Sequence, residues 1–157
     1  MKKYIYLMVL IISTMSNAQQ NKFHQFYNDF ENQEGITTIK INKAMFSFLG
    51  NMDLDEDLKK MTPLFKKMNS IQMIIYDGQK NTKIKEKLIS DFKNLKLEEL
   101  MTINNEGNRV RFYADQASSD IFNNLMLNIS TSDELLYIIL DGEIKAEDLN
   151  NMISSKE

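Results

Sequence analysis

The chain contains no cysteine and no tryptophan, and has only one histidine, one proline and five glycines among its 157 residues. Each scarcity closes off a class of chemistry. Without cysteine there is no disulfide framework, no thiolate nucleophile and no residue to carry the acyl chain of a lipoprotein. A single imidazole, His24, cannot assemble a metal site alone and leaves only one candidate base to serve a serine nucleophile. The few glycines are scattered, so no phosphate-cradling loop exists, and there is no G-x-S-x-G elbow. No apolar run approaches the roughly 20 residues that a helix needs to cross a bilayer core.

The N-terminus, MKKYIYLMVLIISTMSNAQQ, is organised around export. Lys2 and Lys3 form a basic end, Tyr4 to Ile12 is an uncharged apolar run, and Ser16 and Ala18 occupy the small-x-small positions read by a signal peptidase. Residues 1–18 are therefore expected to be a secretory signal peptide, cleaved between Ala18 and Gln19. The mature protein is expected in the periplasm or outside the cell, soluble and without an integral membrane segment. Residues 19–157 suffice for one core and are too few for two ordinary domains. Removing Lys2 and Lys3 with the leader leaves 17 basic residues against 22 acidic ones, a net charge near −5. That balance argues against nucleic acid or an anionic membrane surface as partner, because both require a basic patch.

Apolar spacing predicts the elements. Phe23, Phe26, Tyr27 and Phe30 recur at i, i+3, i+4 and i+7, the stripe of an amphipathic helix that Gly35 helps to end. ITTIKIN, from Ile36, alternates as a half-buried strand. KAMFSFLG, ended by Gly50, suits a short helix, and a second helical region runs through Leu58, Met61, Leu64, Phe65 and Met68, with Thr62 and Pro63 marking a start within it. SIQMIIYDG, from Ser70, is apolar enough for an interior strand, and the intervening length allows a parallel crossover from the first strand. Ile84, Leu88, Phe92 and Leu95 give a helix with a charged outer side. ELMTI and RVRFYAD flank a turn containing Gly107, a first hairpin, and IFNNLMLNIS and ELLYIILDGEI form a second around TSD. The unalternating run Leu135 to Leu140 belongs at a sheet centre. Leu149, Met152 and Ile153 mark a closing helix from Ala146. The expected fold is one α+β domain, a mixed, mostly antiparallel sheet of about six strands covered by helices on one main face.

The stretches FYNDFENQEGITTIKINKAMFSFLG, SIQMIIYD, LEELMTINNEGNRVRFYAD and LLYIILDGEIKAEDL, in this order, resemble the domain-of-unknown-function family numbered 4252, small exported proteins of Bacteroidota. The likeness runs from about Phe23 to Leu149 and rests on strand spacing, on Lys43 to Phe46, and on the hydrophobic-x-Gly pattern near Gly142. It implies export and a single domain, and carries no site residue.

The remaining chemical candidates have plainer readings. DLDED, from Asp53, spaces its acids as a calcium loop does, but Leu58 and Leu64 stand where the sixth-position glycine and twelfth-position glutamate belong, so helix-start acids fit better. Met45, Met52, Met61 and Met68 are spaced as an apolar helix face, not as a copper cluster. Asn128-Ile129-Ser130 matches a glycosylation sequon inside a predicted strand and is discounted. No cofactor and no catalytic or metal-binding residue is signalled. These exclusions favour a non-catalytic envelope module with a protein partner, for which Tyr76, Phe112 and Tyr113 would supply an exposed aromatic patch. The alternative is a carrier or sensor of a small apolar ligand held between the sheet and its helices. An enzyme is the third class.

Overall fold

The computed structural model describes residues 21–49, 64–78, 81–116 and 120–147. The expected signal segment with Ala18 and Gln19, the DLDED stretch, Pro63 and the predicted closing helix beyond residue 147 lie outside them. Helix α1 (Asn21–Phe30) is followed by β1 (Ile36–Asn42), helix α2 (Lys43–Leu49), β2 (Met68–Asp77) and helix α3 (Thr82–Asn94). Four strands complete the order: β3 (Glu98–Asn105), β4 (Asn108–Ala114), β5 (Ile121–Ser130) and β6 (Glu134–Lys145). Together they make an α+β domain on one six-stranded open sheet, ordered β1-β2-β6-β5-β4-β3. Among the described residues no helix is long and apolar enough to cross a membrane.

All five strand pairings are antiparallel. The parallel crossover that the β1 to β2 connection allows is not used. Asn42 at the end of β1 pairs with Ser70 near the start of β2, so the connection leaves and re-enters the sheet at the same end. A long connection permits a crossover without requiring one. Met68, expected as the last apolar position of a helical region, instead opens β2 opposite Gly142, and helical geometry covers residues 64–67.

Helices α1 and α3 lie on one face of the sheet. The aromatic stripe of α1 is fully inside: Phe23, Phe26, Tyr27 and Phe30 join Ile84 and Leu88 of α3 over Ile74, Tyr76, Tyr137 and Ile139. Each such aromatic contributes about 1.5–3 kcal/mol through burial. The opposite face carries its own cluster, where Phe46 of α2, Leu64 and Met68 cover Phe112, Leu125, Leu127 and Leu140. The central strand β6 divides its apolar run between the two, with Leu135, Tyr137 and Ile139 toward the first cluster and Ile138 and Leu140 toward the second. This double coverage is why its sequence does not alternate.

Two glycines occupy backbone positions that most side chains would strain. In the two-residue turn between β3 and β4, Glu106 (φ 48°) and Gly107 (φ 85°) both take the left-handed conformation of a type I′ hairpin turn. Gly142 has φ 152°, and a Cβ there would lie 2.6 Å from the Met68 Cα and the Lys67 carbonyl oxygen, beside the irregularity that shifts the β2–β6 register.

Candidate functional site

The pleat and the antiparallel register place side chains on the α1/α3 face in straight cross-strand rows. One row reads Thr102, Arg111, Asn128, Tyr137, Ile74, Thr38 from β3 across to β1. A second reads Asn104, Arg109, Ser130, Leu135, Tyr76, Ile36. In both rows the β3–β5 half is polar or charged and the β6–β2 half is apolar.

Helix α3 makes this division matter. It starts after Asn81, whose Oδ1 accepts the Ile84 amide at 3.3 Å as an N-cap. It then runs from the column of β2 to the start of β3, crossing the face diagonally. Lys22 of α1 holds the far end by donating to the Leu95 carbonyl at 3.3 Å while pairing with Asp115. The diagonal leaves open the corner of the face nearest the β3–β4 turn.

That corner is a groove of about 870 Å³. Arg109, Arg111, Asn128, Ser130 and Tyr137 line its floor, and Ile89, Phe92, Lys93 and Lys96 line the α3 side. Phe92 braces the aromatic part, its ring centroid 4.9 Å from those of both Tyr113 and Tyr137. Such contacts fix ring positions and add to burial.

The polar lining is dominated by donors. Among the described residues, Lys93, Lys96, Arg109 and Arg111 line the groove against one acid, Glu106, in a chain whose formal charge is −3. Arg109 donates through Nε to Asn104 Oδ1 at 2.9 Å, which props it across the hairpin. Arg111 Nε stands 3.8 Å from Glu99 Oε2, a loose pair between a half-buried guanidinium and an exposed carboxylate, worth little by itself. A contact of this kind engages only one edge of a guanidinium that carries five N–H donors.

Asn128, 6 % exposed, has a buried side-chain nitrogen with no acceptor among the described residues. Leaving such a donor unsatisfied costs on the order of 1–3 kcal/mol. Burial raises the Tyr137 hydroxyl well above its ordinary pKa, nearby Tyr113 adds to this, and Arg111 partly opposes it. Tyr137 is therefore a neutral hydroxyl at physiological pH.

The residues singled out from sequence fare unevenly. His24 lies half-buried against Gln72, its Nδ1 within 3.2 Å of the side-chain amide, away from the groove lining. Met45 is exposed on α2 and Met68 is buried in the opposite cluster, while Met52 and Met61 lie outside the described residues. Tyr76, Phe112 and Tyr113 form no exposed aromatic patch, being 1 %, 6 % and 8 % exposed. Their large apolar rings pack into the two clusters on either side of the sheet.

Sequence reasoning met Asn128 only as part of a sequon, and did not single out Arg109 or Arg111. The signal that could have found them is the alternation in NRVRFYA, which puts Arg109, Arg111 and Tyr113 on one strand face and Val110, Phe112 and Ala114 on the other.

Comparison with known proteins places these features in a family. No curated protein and no solved structure matches the chain. A family profile described as Domain of unknown function (DUF4252) matches residues 27–152, close to the span over which the strand spacing carries the resemblance. The match covers most of the chain, including the whole sheet and the groove, and the chain belongs to the DUF4252 family.

Proposed function

We propose that this protein is an exported, non-catalytic binding module that holds a small molecule in the groove between α3 and the β3–β5 half of the sheet. The observation that carries this reading is the groove itself. About 870 Å³ of space lies between an aromatic cluster and a row of donor-rich side chains, within the range of small-ligand sites. The combination of an apolar wall with a few convergent polar groups is what such sites require. It supports the carrier or sensor alternative over the protein-binding reading that the exclusions favoured. The donors also make the ligand more polar than the apolar molecule expected from sequence.

The test is native mass spectrometry of the protein recovered gently from the envelope of its own host, beside a Ser130→Phe variant that fills the groove floor. The expected result is a small additional mass on the wild type and none on the variant. Equal masses of bound material on both would place the ligand elsewhere and sink the reading.

An envelope protein partner is the second reading. It is favoured by Met45 and Phe48, which are 49 % and 61 % exposed on α2. Residue-specific photocrosslinking from position 48 that captures a discrete envelope protein would support it, and uniform background labelling would count against it.

A further inference from the structure

We infer that the groove selects an organic acid, a carboxylate joined to an apolar body, with the carboxylate seated between Arg111 and Asn128. This rests on the small-molecule reading above and goes further by assigning the ligand's charge and the residues that read it. Arg111 and Asn128 are register partners across β4 and β5. Side chains so placed rise from Cβ atoms only about 5 Å apart. A planar guanidinium and a side-chain amide at that spacing present donors to the two oxygens of one planar acceptor, the arrangement that favours carboxylate.

The buried Asn128 nitrogen, with no acceptor among the described residues, is the second, independent sign. Asn128 lines the groove, and a small turn of its amide toward that space would bring this buried donor to a ligand oxygen. Surrounding charge points the same way. A cationic ligand would meet Lys93, Lys96, Arg109 and Arg111 with Glu106 as the only acid among the described lining residues and Glu99 loosely paired behind Arg111, whereas an anion meets four opposite charges. The apolar body follows from the rest of the wall. Ile89, Phe92, Leu97 and Leu135 line the same groove and give an acyl or aromatic group a surface to cover.

The experiment uses three probes with one apolar body and different charge: 2-naphthoate, 2-naphthol and 2-naphthylmethylammonium. Binding is followed by amide chemical-shift perturbation of the purified protein, with Arg111→Gln and Lys96→Gln as variants. The expected result is shifts clustered on β4, β5 and the end of α3, with naphthoate bound at least tenfold more tightly than naphthol and the ammonium probe weakest. Arg111→Gln should remove most of the preference for naphthoate and leave naphthol binding unchanged. Lys96→Gln, at an exposed position just beyond the α3 C-cap, should reduce the preference by a few-fold with the fold undisturbed, so the charge argument stands or falls even if the Arg111 variant misfolds. Equal binding of naphthoate and naphthol in the groove would overturn the carboxylate assignment while leaving the small-molecule reading intact. Absence of groove shifts with all three probes at millimolar concentration would overturn both.

Discussion

Arg111 and Asn128 stand side by side across β4 and β5, one carrying a guanidinium only loosely paired with Glu99 and the other a buried amide nitrogen with no acceptor among the described residues. A fold selected only for stability would place an apolar residue at position 128. The neighbouring positions Leu125, Met126 and Leu127 on the same strand are all apolar and buried. The pair is where stability and binding are expected to part.

Asn128→Leu tests that separation directly. Replacing the amide by an apolar group of similar size removes the unsatisfied donor, so the variant should be as stable as the wild type or more stable by about 1 kcal/mol. Urea unfolding would show this as an equal or higher midpoint at unchanged slope. The same variant should lose naphthoate affinity. A clear drop in midpoint would mean that Asn128 is structural.

Lys96 follows the α3 C-cap in a left-handed conformation, φ 52°, at a helix-end position where glycine is preferred. Lys96→Gly should stabilise the protein by roughly 0.5–1 kcal/mol by relieving that strain while weakening naphthoate binding through loss of a cation in the groove lining. Thermal unfolding and a naphthoate titration on the same sample would check the two opposed effects.

Gly142→Ala should be among the most damaging single changes, costing about 3 kcal/mol or more. The added Cβ would meet backbone atoms 2.6 Å away at φ 152°, and backbone at a strand pairing cannot move aside as a flexible side chain can. Circular dichroism melting would show a large fall in Tm. A near-native Tm would mean that β2 and β6 can separate locally at their irregular end.

The raised pKa of Tyr137 makes stability depend on alkaline pH. The folded state holds this proton more tightly than the unfolded chain, whose phenol titrates near 10. The contribution is therefore complete below about pH 10 and is lost progressively as pH rises beyond it. Urea midpoints measured from pH 8 to pH 11 should fall at the alkaline end, and Tyr137→Phe should reduce that fall. An identical alkaline slope in the variant would assign the effect to other groups.

The local elements were legible because their signals are local. The four aromatics of α1 repeat at helical spacing, β1 alternates residue by residue, and the Gly107 turn lies between two matched strands. The groove was not legible in the same way. NRVRFYA shows a strand with one polar face, but that pattern reads equally as a solvated surface. Only the diagonal course of α3 turns part of this face into a walled site.

The amino-acid order alone therefore determined which segments become helix or strand, and which side of each is apolar, since these depend on the 3.6-residue and two-residue periods of the backbone. Tertiary structure decided the antiparallel return of β2 beside β1, the insertion of β6 between β2 and β5, and the row that joins Arg111, Asn128 and Tyr137. Strand pairing brings together residues that no local period relates, and its register follows from burying both faces of the sheet at once.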